Sequence, residues 1–164
     1  AECWFNGAIT QQTARLRADT ERAIRDAEAE AAEAGSLRPV DRMALANMYL
    51  VLDDILALGQ SRGGEVRAAR KRALRRAAAH AAAVSEALPQ APGGHRMLAV
   101  IRARLAELGD SLEMWKLAVS ECKEAIRLDP GNSSLAEMLW TLTLRSGDWE
   151  EASRWEVVVT EVGQ

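Results

Sequence analysis

Gly109-Asp110-Ser111-Leu112-Glu113 and Gly147-Asp148-Trp149-Glu150-Glu151-Ala152 open two segments of one design. In each, a Gly can end one helix, an Asp can cap the next, and a Glu follows three residues after the Asp. The Asp side chain accepts an orphaned backbone N–H of the first turn, and the Glu reaches back to the N–H of the cap. The first segment runs on to Ala125-Ile126-Arg127-Leu128-Asp129-Pro130 and the second into residues 157–162. A helix–turn–helix unit that recurs buries its apolar face against the next unit, so the pattern predicts stacked helix pairs.

The residues carrying the pattern are Ala118, Ala125, Leu128-Asp129-Pro130, Gly147-Asp148-Trp149 and Ala152. Their resemblance to the tetratricopeptide repeat sets Pro130 at that family's near-terminal proline, which implies that Ala118 and Ala125 take its two small positions on the second helix and Ala152 the next. This stretch, residues 94–163, resembles the tetratricopeptide repeat. Three positions depart from that family. Trp140 and Arg102 stand where Gly or Ala is usual, which implies wider helix spacing or an altered crossing angle. Glu156 stands where an aromatic is usual, beside Trp155. From Asp110 to Asp148 is 38 residues, against about 34 in the family. The excess is about one helical turn, and residues 111–114 are the expected place for it.

The rest of the chain reads as helices too. At 164 residues, with 48% hydrophobic but only 4% aromatic content, the core must come from Leu, Val, Ile, Met and Ala. Ala favours helix. Pro39, Pro89, Pro92 and Pro130 fall between helical stretches. The expected helices span 7–34, 40–58, 65–88, 95–108, 111–128, 133–145 and 148–162. The fold class is therefore all-α: a right-handed, tetratricopeptide-like array of about seven helices. The expected organisation is a single domain, 1–164, with a long edge helix at 7–34, a helix pair at 40–88 and two repeat-like pairs at 95–163.

Helix one carries only a thin apolar stripe of Ala8, Ile9, Leu16, Ala23, Ile24, Ala27 and Ala31. Charges of alternating sign cover the rest, with i,i+4 pairs such as Glu21 and Arg25. An edge helix fits better than a coiled-coil arm. Helix two has Met43, Leu45, Ala46, Met48, Tyr49, Leu50, Val51, Leu52, Ile55, Leu56 and Leu58 in almost every direction, which predicts burial all round. Asp53 and Asp54, near its C-terminal end, are expected to face solvent or pair with an Arg of helix three. Helix three should turn Val66, Ala69, Ala73, Ala77, Ala81, Val84 and Leu88 inward. Leu112, Trp115, Ala118, Val119, Cys122, Ala125 and Ile126 should face inward on helix five, and Trp149, Ala152, Trp155, Val159 and Val162 on helix seven.

No residue pattern carries catalysis. Gly-x-Ser-x-Gly, CxxC and dinucleotide fingerprints are absent, and Ser61-Arg62-Gly63-Gly64 lacks the Lys-Ser/Thr of a phosphate loop. His80 has Val84, not His or Glu, one turn on, so it makes no helical metal pair. His95 is expected near a helix start. Cys122 reads as a buried apolar group, although nothing in the sequence forbids its pairing with Cys3. The expectation is a non-enzyme with no catalytic residues, metal or cofactor.

Binding remains. The resemblance places a partner groove on the first helix of each repeat: Arg96, Ala99, Val100, Ala103, Glu107, Glu137, Met138, Thr141, Leu144 and Arg145. The Lys and Asn clamp of chaperone-binding relatives is missing, so a mostly apolar helix or lipid-like ligand suits this face better than an acidic C-terminus. The expected function is a bacterial protein–protein scaffold or adaptor of unidentified partner. Arg67, Arg70, Lys71, Arg72, Arg75 and Arg76 form the other candidate surface, for anionic lipid or nucleic acid. The net charge of −3 and the lack of interleaved aromatics speak against nucleic acid. The acidic half of helix one, residues 26–33, is the natural internal complement of this patch. An alternative function is the soluble domain of a membrane-tethered bacterial assembly or export factor, in cytoplasm or periplasm. Trp4-Phe5 then sits at a bilayer edge after removal of a signal peptide or anchor, rather than plugging the domain.

Overall fold

The computed structural model describes residues 2–59, 63–109 and 112–162, with side chains described between residues 10 and 156. Seven α-helices make up these residues and no strand occurs among them: α1 Glu2–Glu33, α2 Pro39–Leu58, α3 Gly64–Ala87, α4 Pro92–Glu107, α5 Leu112–Leu128, α6 Ser133–Ser146 and α7 Trp149–Val162. The fold is all-α, a helical-repeat architecture. Two helices start earlier than expected because Pro39 and Pro92 occupy their first positions, where the missing N–H costs nothing and the fixed φ is already helical. None of the described helices is long and apolar enough to cross a membrane.

The chain divides into two compact units, residues 1–80 and 81–164. In the first, α2 packs on α1, and its buried residues Leu45, Ala46, Tyr49, Leu52, Ile55 and Leu56 form one stripe at helical spacing. Burial all round is not what α2 shows, for Val51 is 49% exposed and Leu58 71%. Of the expected stripe on α1, Ile24 is buried and Leu16 is exposed. On α3 the inward residues are Ala73, Leu74 and Ala77, then Ala81 and Val84 in the second unit. Leu74, fully buried, lies beside the expected stripe, while Leu88 lies past the helix end and is exposed.

In the second unit α4 packs on α5, α5 on α6 and α6 on α7. Short connections make each consecutive pair antiparallel. Ala99, Ala118, Cys122, Leu139 and Leu142 form a buried cluster, with Ala103, Trp115, Val119, Ile126, Met138 and Trp155 packed around it. Gly94 lets α4 approach the end of α3: a Cβ there would stand 2.7 Å from the backbone nitrogen of Ser85.

The α6–α7 turn realises half of the expected capping box. Gly147 adopts φ +80°, a region a Cβ disfavours, and the N–H of Asp148 donates to the carbonyl of Thr143, closing α6. The Asp148 carboxylate then accepts the N–H of Glu151 at 3.1 Å. Glu151 does not complete the box. Its carboxylate takes Trp155 Nε1 and Lys123 instead. In the earlier turn Gly109 has the same φ of +80°; the added turn expected at residues 111–114 begins outside the described residues.

Like Leu88, the expected inward residues Leu112 and Trp149 are exposed, at 55% and 68%. Trp149 is the first residue of α7, where a side chain leaning toward the N-terminus has no preceding turn to cover. Asp110 and Ser111, residues 60–62, and the side chains of Cys3, Trp4, Phe5, Ala8, Ile9, Val159 and Val162 lie outside the described residues. The expectations resting on them, the first Asp cap and the Cys3–Cys122 pairing included, lie there too.

Candidate partner-binding surface

The groove residues divide by burial. On α4, Arg96, Val100, Ala103 and Glu107 recur at helical spacing, with Arg96 and Glu107 exposed and Val100 and Ala103 half-buried. Ala99 lies one position off that face and belongs to the core, wholly buried against α5 and α6. On α6, Glu137, Thr141 and Arg145 are exposed one turn apart, and Leu144 is half-buried beside them. Met138 leans onto the same buried cluster that Ala103 touches. The two first helices thus present a mixed surface: five exposed polar side chains over four partly buried apolar ones.

Behind this face lies a polar network that the sequence did not reveal. Glu121 on α5 accepts Arg102 on one carboxylate oxygen and His95 on the other, the latter at 2.6 Å. All three side chains are mostly buried. Arg102 is the residue standing where a small one is usual, and the structure accommodates it with a counter-charge on the next helix. The available signal was the i,i+7 spacing of His95 and Arg102, which puts both on one face of α4. A second link, Lys123–Glu151 at 3.0 Å, ties α5 to α7. Hydrogen bonding from Trp155 and then Lys123 holds the Glu151 carboxyl below the usual range.

Two residues of the basic stretch of α3, Arg70 and Arg76, are engaged within the first unit. Arg70 grips Asp53 with two nitrogens at 2.7 and 3.3 Å, and Asp53 is wholly buried. Asp53 therefore makes the pairing expected with helix three, and Asp54 is exposed to solvent with an interaction of its own. Arg76 binds Glu28 of the acidic half of α1, and also the Tyr49 hydroxyl at 2.9 Å. Tyr49 donates to Glu28 at 2.5 Å and stacks on His80, with ring centroids 6.0 Å apart. Burial pushes the Tyr49 hydroxyl up and the His80 imidazole down. Arg67, Lys71 and Arg75 have interactions of their own.

Chemically these groups are structural pairs. Among the described residues no three His, Cys, Asp or Glu side chains converge as metal ligands. Cys122 is a free, wholly buried thiol, pushed up by burial to about 12, which leaves almost no thiolate at neutral pH.

No family model matches the sequence, and neither does any curated protein. Among solved structures, the chain is similar to MamA, residues 41 to the end, from Desulfovibrio magneticus RS-1. Identity is 18% over 95% of this chain and 92% of that one, with a TM-score of 0.47. It is also similar to a MamA RS-1 ArsTM double mutant, at 16% identity over 94% of each chain and a TM-score of 0.49.

Proposed function

We propose that the chain is a non-enzymatic protein-interaction module whose second unit binds a partner segment across the first helices of its two repeats, α4 and α6. The observation that carries this reading is the division of that face. Ala99 and Met138 anchor it to the core, while Arg96, Glu107, Glu137, Thr141 and Arg145 stand exposed around Val100 and Leu144. Rigid helices then present a row of polar contacts around an apolar seam, the layout of helix-in-groove recognition. An amphipathic helix fits it, with apolar residues over Val100 and Leu144 and charges of both signs at its margins. The engagement of Arg70 and Arg76 within the first unit makes α3 the weaker candidate surface.

The test uses a partner captured by the intact chain, purified, and titrated against it. The double variant Glu137→Lys/Arg145→Glu changes only exposed side chains, so helical content and melting temperature should hold while affinity falls at least tenfold. Unchanged affinity in that variant, with binding lost in Arg72→Glu/Arg75→Glu, would move the functional surface to α3.

A further inference from the structure

Two clefts in the first unit meet end to end. The larger, about 620 Å³, lies between α1 and the last turns of α2, with Ala14, Ala18, Ile55, Leu56, Leu58 and Val66 as its apolar wall. That volume falls within the range of about 300–1,000 Å³ typical of small-molecule sites. The smaller, about 270 Å³, lies between α1 and α3 over Leu52 and Tyr49 of α2. Arg17, Glu21 and Leu56 line both, so the two clefts adjoin, in line along one trough.

The ends of the trough differ in charge. Around the smaller cleft stand Arg17, Arg25, Arg72 and Arg76 against only Glu21 and Glu28. Arg17 holds Glu21 at 2.8 Å and Arg76 holds Glu28 at 3.2 Å. Arg25 of α1 and Arg72 of α3 are the cations left over. They face one cleft from opposite helices, and Arg72 stands one turn from Arg76. Guanidinium groups so placed suit a phosphate or carboxylate, which they bind through paired N–H donors. The other end offers apolar wall and, at Leu58, a side chain 71% exposed to water.

We propose that this trough binds a single-chain anionic amphiphile, its head between Arg25 and Arg72 and its alkyl chain along Ile55, Leu58 and Val66. Charge complementarity fixes the head, and the apolar wall gives the chain somewhere to leave water.

Isothermal titration of the whole chain below the micellar concentration tests this, with dodecyl phosphate as probe and dodecyl maltoside and inorganic phosphate as comparisons. Dodecyl phosphate should bind in a one-to-one ratio, at least tenfold more tightly than either comparison. Arg25→Gln/Arg72→Gln, both exposed positions, should weaken it at least tenfold with the circular dichroism spectrum unchanged. Equal affinity for the maltoside, equal affinity for inorganic phosphate, no binding of dodecyl phosphate, or full affinity in the double variant would each overturn the proposal. So would adsorption to phosphatidylcholine–phosphatidylserine vesicles by a chain that ignores the monomeric probe, because that result describes a membrane surface contact instead.

Discussion

Arg70→Met removes from the wholly buried Asp53 carboxylate the two guanidinium nitrogens that hold it at 2.7 and 3.3 Å. Removing one member of a buried pair costs about 3–5 kcal/mol, because the remaining charge keeps its desolvation penalty without its partner. Two features point to the lower end. The Arg70 side chain is 23% exposed, and Asp53 keeps a further interaction. About 3 kcal/mol is therefore expected. At about 0.05–0.15 kcal/mol per residue, the 80-residue first unit has roughly 4–12 kcal/mol in all. The single variant should shift the urea midpoint, followed by circular dichroism, by a large fraction of its value. Asp53→Leu/Arg70→Met removes both charges and should recover most of the loss, since a well-packed apolar pair often replaces a buried ion pair at little cost. A single variant within about 1 kcal/mol of the parent, or a double variant no better than the single, would refute the reasoning.

Gly94→Ala should lose stability, because the new methyl would meet backbone atoms of Ser85 at 2.7 and 2.9 Å; overpacking of this kind costs about 1–3 kcal/mol, more than helix propensity returns. Gly64→Ala, with nothing within 4 Å of its Cβ, is the matched control and should be neutral or stabilising in the same melt. Asp148→Ala removes the acceptor of the Glu151 N–H and should cost about 1 kcal/mol, readable as a lower melting temperature. His80 has its pKa lowered by burial first, then by Arg42 and Arg76, with Glu28 opposing. The unfolded chain therefore binds the proton more readily. The stability tied to neutral His80 is complete above its unfolded value of about 6.5 and is lost as pH falls through the lower folded value. His80→Leu should flatten that acid-side decline in urea midpoints, and an unchanged pH profile would show that His80 contributes nothing to it.

The sequence carried its local signals into the structure faithfully. Gly147 and Asp148 mark a helix end and a cap on side-chain chemistry alone, and α2, α5, α6 and α7 lie within a residue or so of their expected bounds. What required two helices at once was not legible. Glu121 could be matched to His95 and Arg102 only once α4 lay beside α5, and Tyr49 to Glu28 and Arg76 only once α1, α2 and α3 were assembled. Apolar periodicity also overstates burial at helix ends. Leu112 and Trp149 fit the inward spacing yet stand exposed, since periodicity records direction around the axis and not position along it. That Arg96, Val100, Ala103 and Glu107 share one side of α4, and Glu137, Thr141 and Arg145 one side of α6, was legible from helical spacing, but the depth of Ala99 and Met138 was not.

Hydrogen–deuterium exchange of the intact chain, with and without its purified partner, tests the central claim most directly. New protection should appear along α4 and α6, strongest in the peptides carrying Arg96 to Ala103 and Glu137 to Arg145, with α3 unchanged. Protection confined to residues 65–76, with none on α4 or α6, would contradict the account.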